Sequence, residues 1–401
     1  MTRFAPTRTA ALEALQAFVP GAGRAYAAGR NHDAGPDGPQ AVSRLSPYIR
    51  HRVLPEDEVL RAVLGRHSPQ SAEKFVQEVF WRSYWKGWLE LRPGVWGQYK
   101  AGLGRALDAV QTQSGLRRAW ETACLGETGI ACFDAWAREL VLTGYLHNHA
   151  RMWFASIWIF TLRLPWELGA DFFLRHLLDG DPASNTLSWR WVGGLQTPGK
   201  TYLARPDNIA TFTNGRFVPP PDTLAPVAPP LSGPPVPDRR ALPPEPGFDP
   251  SRPGVLVLHE DDLDPGWLLT RGFEPRATAL LSPRRGHSPL AMAPQVLAFR
   301  AALAEDSAAR WATRLGPVHR IEDSTGLADW ARAQGAAQIV TAHAPTGPVA
   351  DDLRTAARDL PLIALRRRYD SLCWPHATAG FFKFRQQIPA LLDRLAITAP
   401  G

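Results

Sequence analysis

PPPDTLAPVAPPLSGPPVPDRRALPPEPGFDPSRPG, residues 219–254, carries 14 prolines in 36 positions. Proline lacks an amide hydrogen and fixes φ, so such a segment joins neither a helix interior nor a sheet ladder and favours extended polyproline II. As a linker it would span roughly 100 Å at about 3.1 Å per residue. It separates two stretches of different pattern in a chain of 401 residues, a length with room for about two or three domains. The expected division is a first domain over 1–217, a linker over 218–253 and a second domain over 254–401.

Upstream of the linker the periodicity is helical. SAEKFVQEVFWRSYWKGWLE (71–90) sets Phe75, Val79, Trp81, Trp85 and Trp88 at helical spacings with charges between them. Residues 122–180 hold at least three more helical patterns, interrupted at Thr143–Gly144, Leu164–Pro165 and Asp179–Gly180. Downstream, GVLVLHE (254–260), ATALLS (277–282), VHRIED (318–323), AAQIVTAH (336–343) and LPLIALR (360–366) read as short strands. Helical patterns at 294–316, 326–335 and 348–360 lie between them. That alternation predicts a parallel sheet covered on both faces. No GxGxxG follows the first strand and no GxxxxGK[ST] occurs, so neither phosphate-binding turn is expected.

The chain has 15 Trp and a formal net charge of +7. A basic balance suits a polyanionic partner and equally suits plain solubility. Cys124, Cys132 and Cys373 match no CxxC pattern and cannot all pair; buried thiols in a reducing compartment are expected. No uninterrupted apolar run is long enough for a membrane span, and the N-terminus shows no signal-peptide core, so the cytoplasm is the expected location. His147 and His149 stand two apart, a spacing that does not converge on a helix, so no metal site is expected.

Four places could carry chemistry. Glu78, Trp81, Arg82 and Trp85 share a helix face; they offer stacking surfaces and hydrogen-bonding charges, or an Arg–Glu pair rimming a Trp-rich core. Asn148 and Met152 share another face, with Arg151 one step round. Ser43 and Ser46 precede an expected helix start, where hydroxyls and amides bind anions or simply cap. DGDPASNTLSWRW (179–191) gathers Asp179, Asp181, Asn185, Trp189 and Trp191. Its acids, placed at a helix end, oppose the macrodipole unless a cation compensates, and Arg151 is the expected cation.

SRLSPYI, EKFVQEVFWRSYW, TGYLHNHARM, LPWELGADFFLRHLLDGDPASNTLSWRW and KTYLARPDN, in this order, resemble the cryptochrome/DNA photolyase family over nearly all of residues 10–217. The resemblance implies a multi-domain protein: an all-α FAD-binding photolyase-type domain followed by a Rossmann-like α/β domain with a parallel sheet. The family usually places its α/β domain first, so the order here suggests a circular permutation. By position, Ser43, Arg44, Leu45 and Ser46 match the loop gripping the FAD phosphates. Phe75, Glu78, Trp81 and Arg82 match the helix lining the cofactor and lesion pocket. Asn148, Arg151 and Met152 match the helix beside flavin and lesion. Asp179 matches the acid that pairs with Arg151, Asp181 a neighbouring flavin-binding acid, and Asn185 the residue facing flavin N5.

The implied activity is a deoxyribodipyrimidine photo-lyase that splits cyclobutane pyrimidine dimers with an electron from excited, reduced FAD. Glu78, Asn148 and Asn185 would act at the reaction, and Trp81, Met152 and Trp191 would face damaged DNA, double- or single-stranded. His149 stands where the family commonly has a basic Arg, on the DNA side. Trp189 and Trp166 match two indoles of an electron relay whose third position falls near Val110, with Tyr99, Trp96 or Trp158 as substitutes. A second, antenna chromophore, a folate or deazaflavin, occurs in relatives. The alternative is a blue-light photoreceptor of cryptochrome type without repair.

Overall fold

The computed structural model describes residues 4–39, 41–282, 288–322, 324–356 and 360–397. The chain forms two compact units. One comprises Met1–Gly23, Arg44–Arg92 and Arg239–Gly401; the other comprises Arg24–Ser43 and Pro93–Asp238. This division cuts the chain elsewhere than at the linker ends, because residues 44–92 pack with the sheet.

In the first unit, β1 (Gly254–His259), β2 (Thr278–Leu281), β3 (Val318–Ile321), β4 (Gln338–Ala342) and β5 (Leu362–Leu365) form one parallel sheet in the order β3-β2-β1-β4-β5. Thr278 pairs with both Leu256 and Val318, and Ile339 with both Val255 and Leu362. This is the doubly wound order. The central strands are buried at every position, whereas edge strand β3 alternates, as a continuous apolar run and an edge should. Helices Pro294–Arg310, Leu327–Ala333 and Pro348–Ala356 make the crossovers. The expected helix over 294–316 breaks at Trp311, which leaves helical geometry before a short turn, Ala312–Leu315.

Helices from the N-terminal part complete this unit through buried charge. Arg52 forks onto Asp370 at 2.6 and 2.7 Å and lies 3.7 Å from Asp262, while Arg367 grips Asp262 at 2.6 and 2.7 Å. Arg50 reaches Asp261 and Glu260, and Glu90 accepts from His343 and Thr346. Burial opposes ionisation of Asp262, but Arg367 and Arg52 outweigh it and hold the carboxyl below its usual range. Buried charges persist only when paired in this way. The network closes over the carboxyl ends of β1 and β4, beside which doubly wound sheets take their ligands.

In the second unit the helices Gly94–Thr112, Ala131–Thr143, Asn148–Ser156, Trp166–His176 and Pro182–Val192 carry the packing. Gly144 ends the second of these in the left-handed region, at φ 69°, a usual glycine C-cap. Asn148–Ser156 runs on into a π-helical turn, Ile157–Thr161, before Pro165. Trp166–His176 stops short of the expected break at Asp179–Gly180 because Leu177 turns extended and the Leu178 amide donates to Gly144 O at 2.9 Å.

The proline-rich stretch has no regular secondary structure but is anchored along its length. Ala225 N donates to Thr161 Oγ1, Leu231 N to Gly193 O and Gln98 Nε2 to Pro235 O, within the helical unit. Arg240 N donates to Leu91 O within the other. The amides between the prolines donate and one proline carbonyl accepts, so the segment is strapped down rather than left as a free tether. No helix among the described residues is long and apolar enough to cross a membrane.

Candidate functional site

Within the helical unit the Asn148–Ser156 helix presents Arg151, whose guanidinium meets both oxygens of Asp179 at 3.0 and 2.9 Å and also donates to Leu146 O. The Asp179 side chain is 3 % exposed and that of Arg151 23 %, so a buried carboxylate meets a guanidinium that still reaches water. Asp181 plays another part. Its carboxylate accepts from Ser184 N at 2.7 Å and caps the Pro182–Val192 helix, with Pro182 at the first position. The sequence reading set both acids where they oppose a dipole; Asp181 instead stands at a helix N-terminus, which favours a negative charge. Asn185 follows on the same helix, and its amide nitrogen donates to Ala170 O at 2.7 Å. That commitment leaves its carbonyl oxygen as the acceptor it can offer.

Asn148 is exposed at the head of its helix, and Met152 is half-buried. His149 does not present a free cation. Its ring stacks on Trp153 at 4.1 Å, its nitrogens sit 3.0 Å from Asn31 O and 3.2 Å from Tyr202 Oη, and burial lowers its pKa. With both nitrogens engaged, the ring is held in place where the family commonly has a basic Arg. Trp191 stacks beside the same Tyr202 at 5.7 Å. Tyr202 thus joins two of the DNA-facing candidates; it was visible only as a letter of KTYLARPDN.

The expected relay resolves into two aromatic groups. Trp189, 2 % exposed, stands edge-on to Trp158 at 6.2 Å and Phe173 at 5.1 Å. Trp166 lies 5.7 Å from Tyr99, which lies 5.1 Å from Trp96. Gly169 permits the first group, since a Cβ there would meet Trp189 at 2.3 Å and Trp158 at 3.0 Å. Burial raises the Tyr99 phenol far above its usual range, and its hydroxyl has no hydrogen-bond partner among the described residues.

In the sheet-bearing unit, Arg44 adopts φ 52° in the loop before the Ser46–Arg50 helix, and Leu45 is buried there. A non-glycine residue in this region is strained, and such strain gathers at functional loops. Ser43 ends a segment of the helical unit. On the Glu73–Glu90 helix Phe75 is buried, while Glu78, Trp81 and Arg82 are half-buried. Trp81 already has one face covered: Phe381 stacks on it at 3.7 Å and 12°.

A flavin would need hydrogen-bonding donors and an acid–base pair at a partly enclosed place. In the helical unit, the Arg151–Asp179 fork, the Asn185 oxygen and one buried donor without a partner among the described residues, Trp189 Nε1, suit such a group.

Residues 75–215 match the family described as FAD binding domain of DNA photolyase. A deoxyribodipyrimidine photo-lyase of Thermus thermophilus is 35% identical over 206 residues, covering 49% of this chain and 45% of that protein. One of Streptomyces griseus is 34% identical over 158 residues, 39% of this chain and 33% of that protein. The chain therefore spans less than half the length of these curated relatives. Among solved structures, a bacterial class III photolyase from Agrobacterium tumefaciens is similar at 29% identity and TM-score 0.44, over 53% of this chain and 44% of that one.

Proposed function

We propose that this chain binds FAD and repairs DNA with light, as a deoxyribodipyrimidine photo-lyase acting on cyclobutane pyrimidine dimers. The observation that carries the reading is the Arg151 fork onto buried Asp179, with Asn185 six residues beyond that acid, inside the stretch that matches the FAD binding domain of DNA photolyase. When bound and reduced, the flavin supplies the electron that light delivers to the dimer.

The chain's own groups do the rest. Asp179 fixes the Arg151 guanidinium, and Asn185 offers a carbonyl oxygen as acceptor. Ser43, Arg44, Leu45 and Ser46 would hold the phosphates through amides and hydroxyls. Phe75, Arg82 and Asp181 would support the cofactor from their helices. Glu78 would hydrogen-bond the dimer where negative charge develops, worth most in a water-poor place. Trp81 would stack through its uncovered face, and Trp191, Asn148 and Met152 would contact the flipped bases. Trp189 and Trp166, with Trp158, Tyr99 and Trp96 at the ring distances above, would carry electrons that restore the reduced cofactor.

We read 254–401 as the α/β domain that the family places first; the parallel order β3-β2-β1-β4-β5 supports a doubly wound domain.

The absorption spectrum before and after blue illumination tests the cofactor; a protein that stays colourless after incubation with excess FAD sinks the reading. Light-dependent repair of a thymine-dimer oligonucleotide tests the activity, and a coloured protein without repair is a photoreceptor. Glu78→Ala is expected to abolish repair and keep FAD; unchanged repair removes Glu78 from that role.

A further inference from the structure

We propose that Phe382, Lys383 and Arg385 form a docking surface for single-stranded DNA in the sheet-bearing unit, next to the Trp81–Phe381 stack. The inference rests on the reading of the chain as a DNA-binding enzyme and names the form of DNA this surface takes.

The segment AGFFKFRQQ, residues 379–387, is pinned from one side. Tyr84 Oη donates to Ala379 O at 2.8 Å, and Arg92 Nη2 donates to Thr378 O at 2.8 Å. Phe381 is 5 % exposed and lies flat on Trp81 at 3.7 Å; Phe384 is 1 % exposed and packs against Phe80 and Tyr84 at 6.2 and 5.7 Å. With those two rings turned inward, the short Phe381–Arg385 helix turns the residues between them outward. Phe382 is 75% exposed, and no other Phe, Trp or Tyr among the described residues is classed as exposed. Lys383 and Arg385 are exposed with it, and the Arg385 guanidinium carbon stands 5.5 Å from the Phe382 ring centre. From Ser371 through Leu392 the sequence has no Asp or Glu.

A large ring held rigidly in water beside two cations matches the chemistry of a single strand: a base to stack on and phosphates to neutralise. A duplex keeps its bases stacked inside and offers this ring little. The neighbouring stack continues the apolar surface, since Trp85 lies 5.3 Å from Trp81 and both are half-buried.

The test is fluorescence anisotropy of the full chain, in the dark, with labelled oligothymidine and with a duplex of equal length. Oligothymidine is expected to bind more tightly than the duplex. Phe382→Ala should weaken oligothymidine binding about tenfold while the thermal midpoint stays that of the wild type. The Lys383→Ala, Arg385→Ala double variant should lower the slope of log affinity against log salt by about 1.4, from about 0.7 per lost phosphate contact on a single strand. The proposal falls if the wild type does not bind oligothymidine, if it binds the duplex as tightly, or if Phe382→Ala binds like the wild type. Flavin colour and dimer repair are read separately. A coloured, repairing protein indifferent to Phe382 sinks this inference alone; a colourless protein whose binding depends on Phe382 sinks the flavin reading alone.

Discussion

Asp179 and Asp181 stand two positions apart and meet different partners. Asp179→Ala leaves the Arg151 guanidinium, itself partly exposed, facing an empty place. Breaking a buried pair costs about 3 kcal/mol at the lower end of its usual range, measurable by urea unfolding. Flavin content is expected to fall with it. Asp181→Ala removes only a cap, and a loss of about 1 kcal/mol is expected; a loss as large as that of Asp179→Ala would refute the distinction. Composition could nominate these acids, and helical spacing could nominate Arg151 as their cation. Which helix Asp181 serves depends on where the preceding helix stops, and that is decided by Leu178 bonding to Gly144, a contact between residues far apart in sequence. For the same reason the engagement of His149 was hidden: its partners, Asn31 and Tyr202, lie on other segments.

Secondary structure was the most legible layer. All five strands appear where short apolar runs meet turn residues, and the three central ones read most plainly because a strand buried on both faces is a local pattern. The helices over 73–90 and 131–143 follow from spacing and from a glycine stop. The π-helical turn at Ile157–Thr161 has no comparable signature, since it is an accommodation to packing. The contact of Trp189 with the Trp166–His176 helix was equally unreadable, because it depends on Gly169 having no side chain. Gly169→Ala is expected to cost about 1–3 kcal/mol through overpacking against Trp189 and Trp158. A shift in thermal midpoint and in near-ultraviolet circular dichroism would report it; an unchanged spectrum would mean that the two indoles can move aside.

At the scale of the molecule, each unit hides a histidine that folding keeps neutral. Burial, with Arg50 adding to it, pushes His51 down to about 3, and burial pushes His147 down to about 4. The unfolded chain takes up these protons near the ordinary histidine value of 6.5, so each histidine favours the folded state above that pH. The contribution is lost as pH falls from about 6.5 toward the depressed values, by about 1.4 kcal/mol per unit for each histidine. Urea unfolding at pH 5 should show about 2 kcal/mol less stability per histidine than at pH 7. A flat profile would contradict the burial of both rings. Residues 44–92, which the linear pattern assigned with the other helices, hold Arg50, Arg52 and Glu90 against partners beyond residue 259. The proline strap is therefore a misleading place to cut. Expressed alone, residues 1–217 would carry orphaned charges into water, and residues 254–401 would hold Asp261, Asp370 and His343 without Arg50, Arg52 and Glu90. Shuffling between homologues is safer if a donor's last third travels together with the same donor's 44–92.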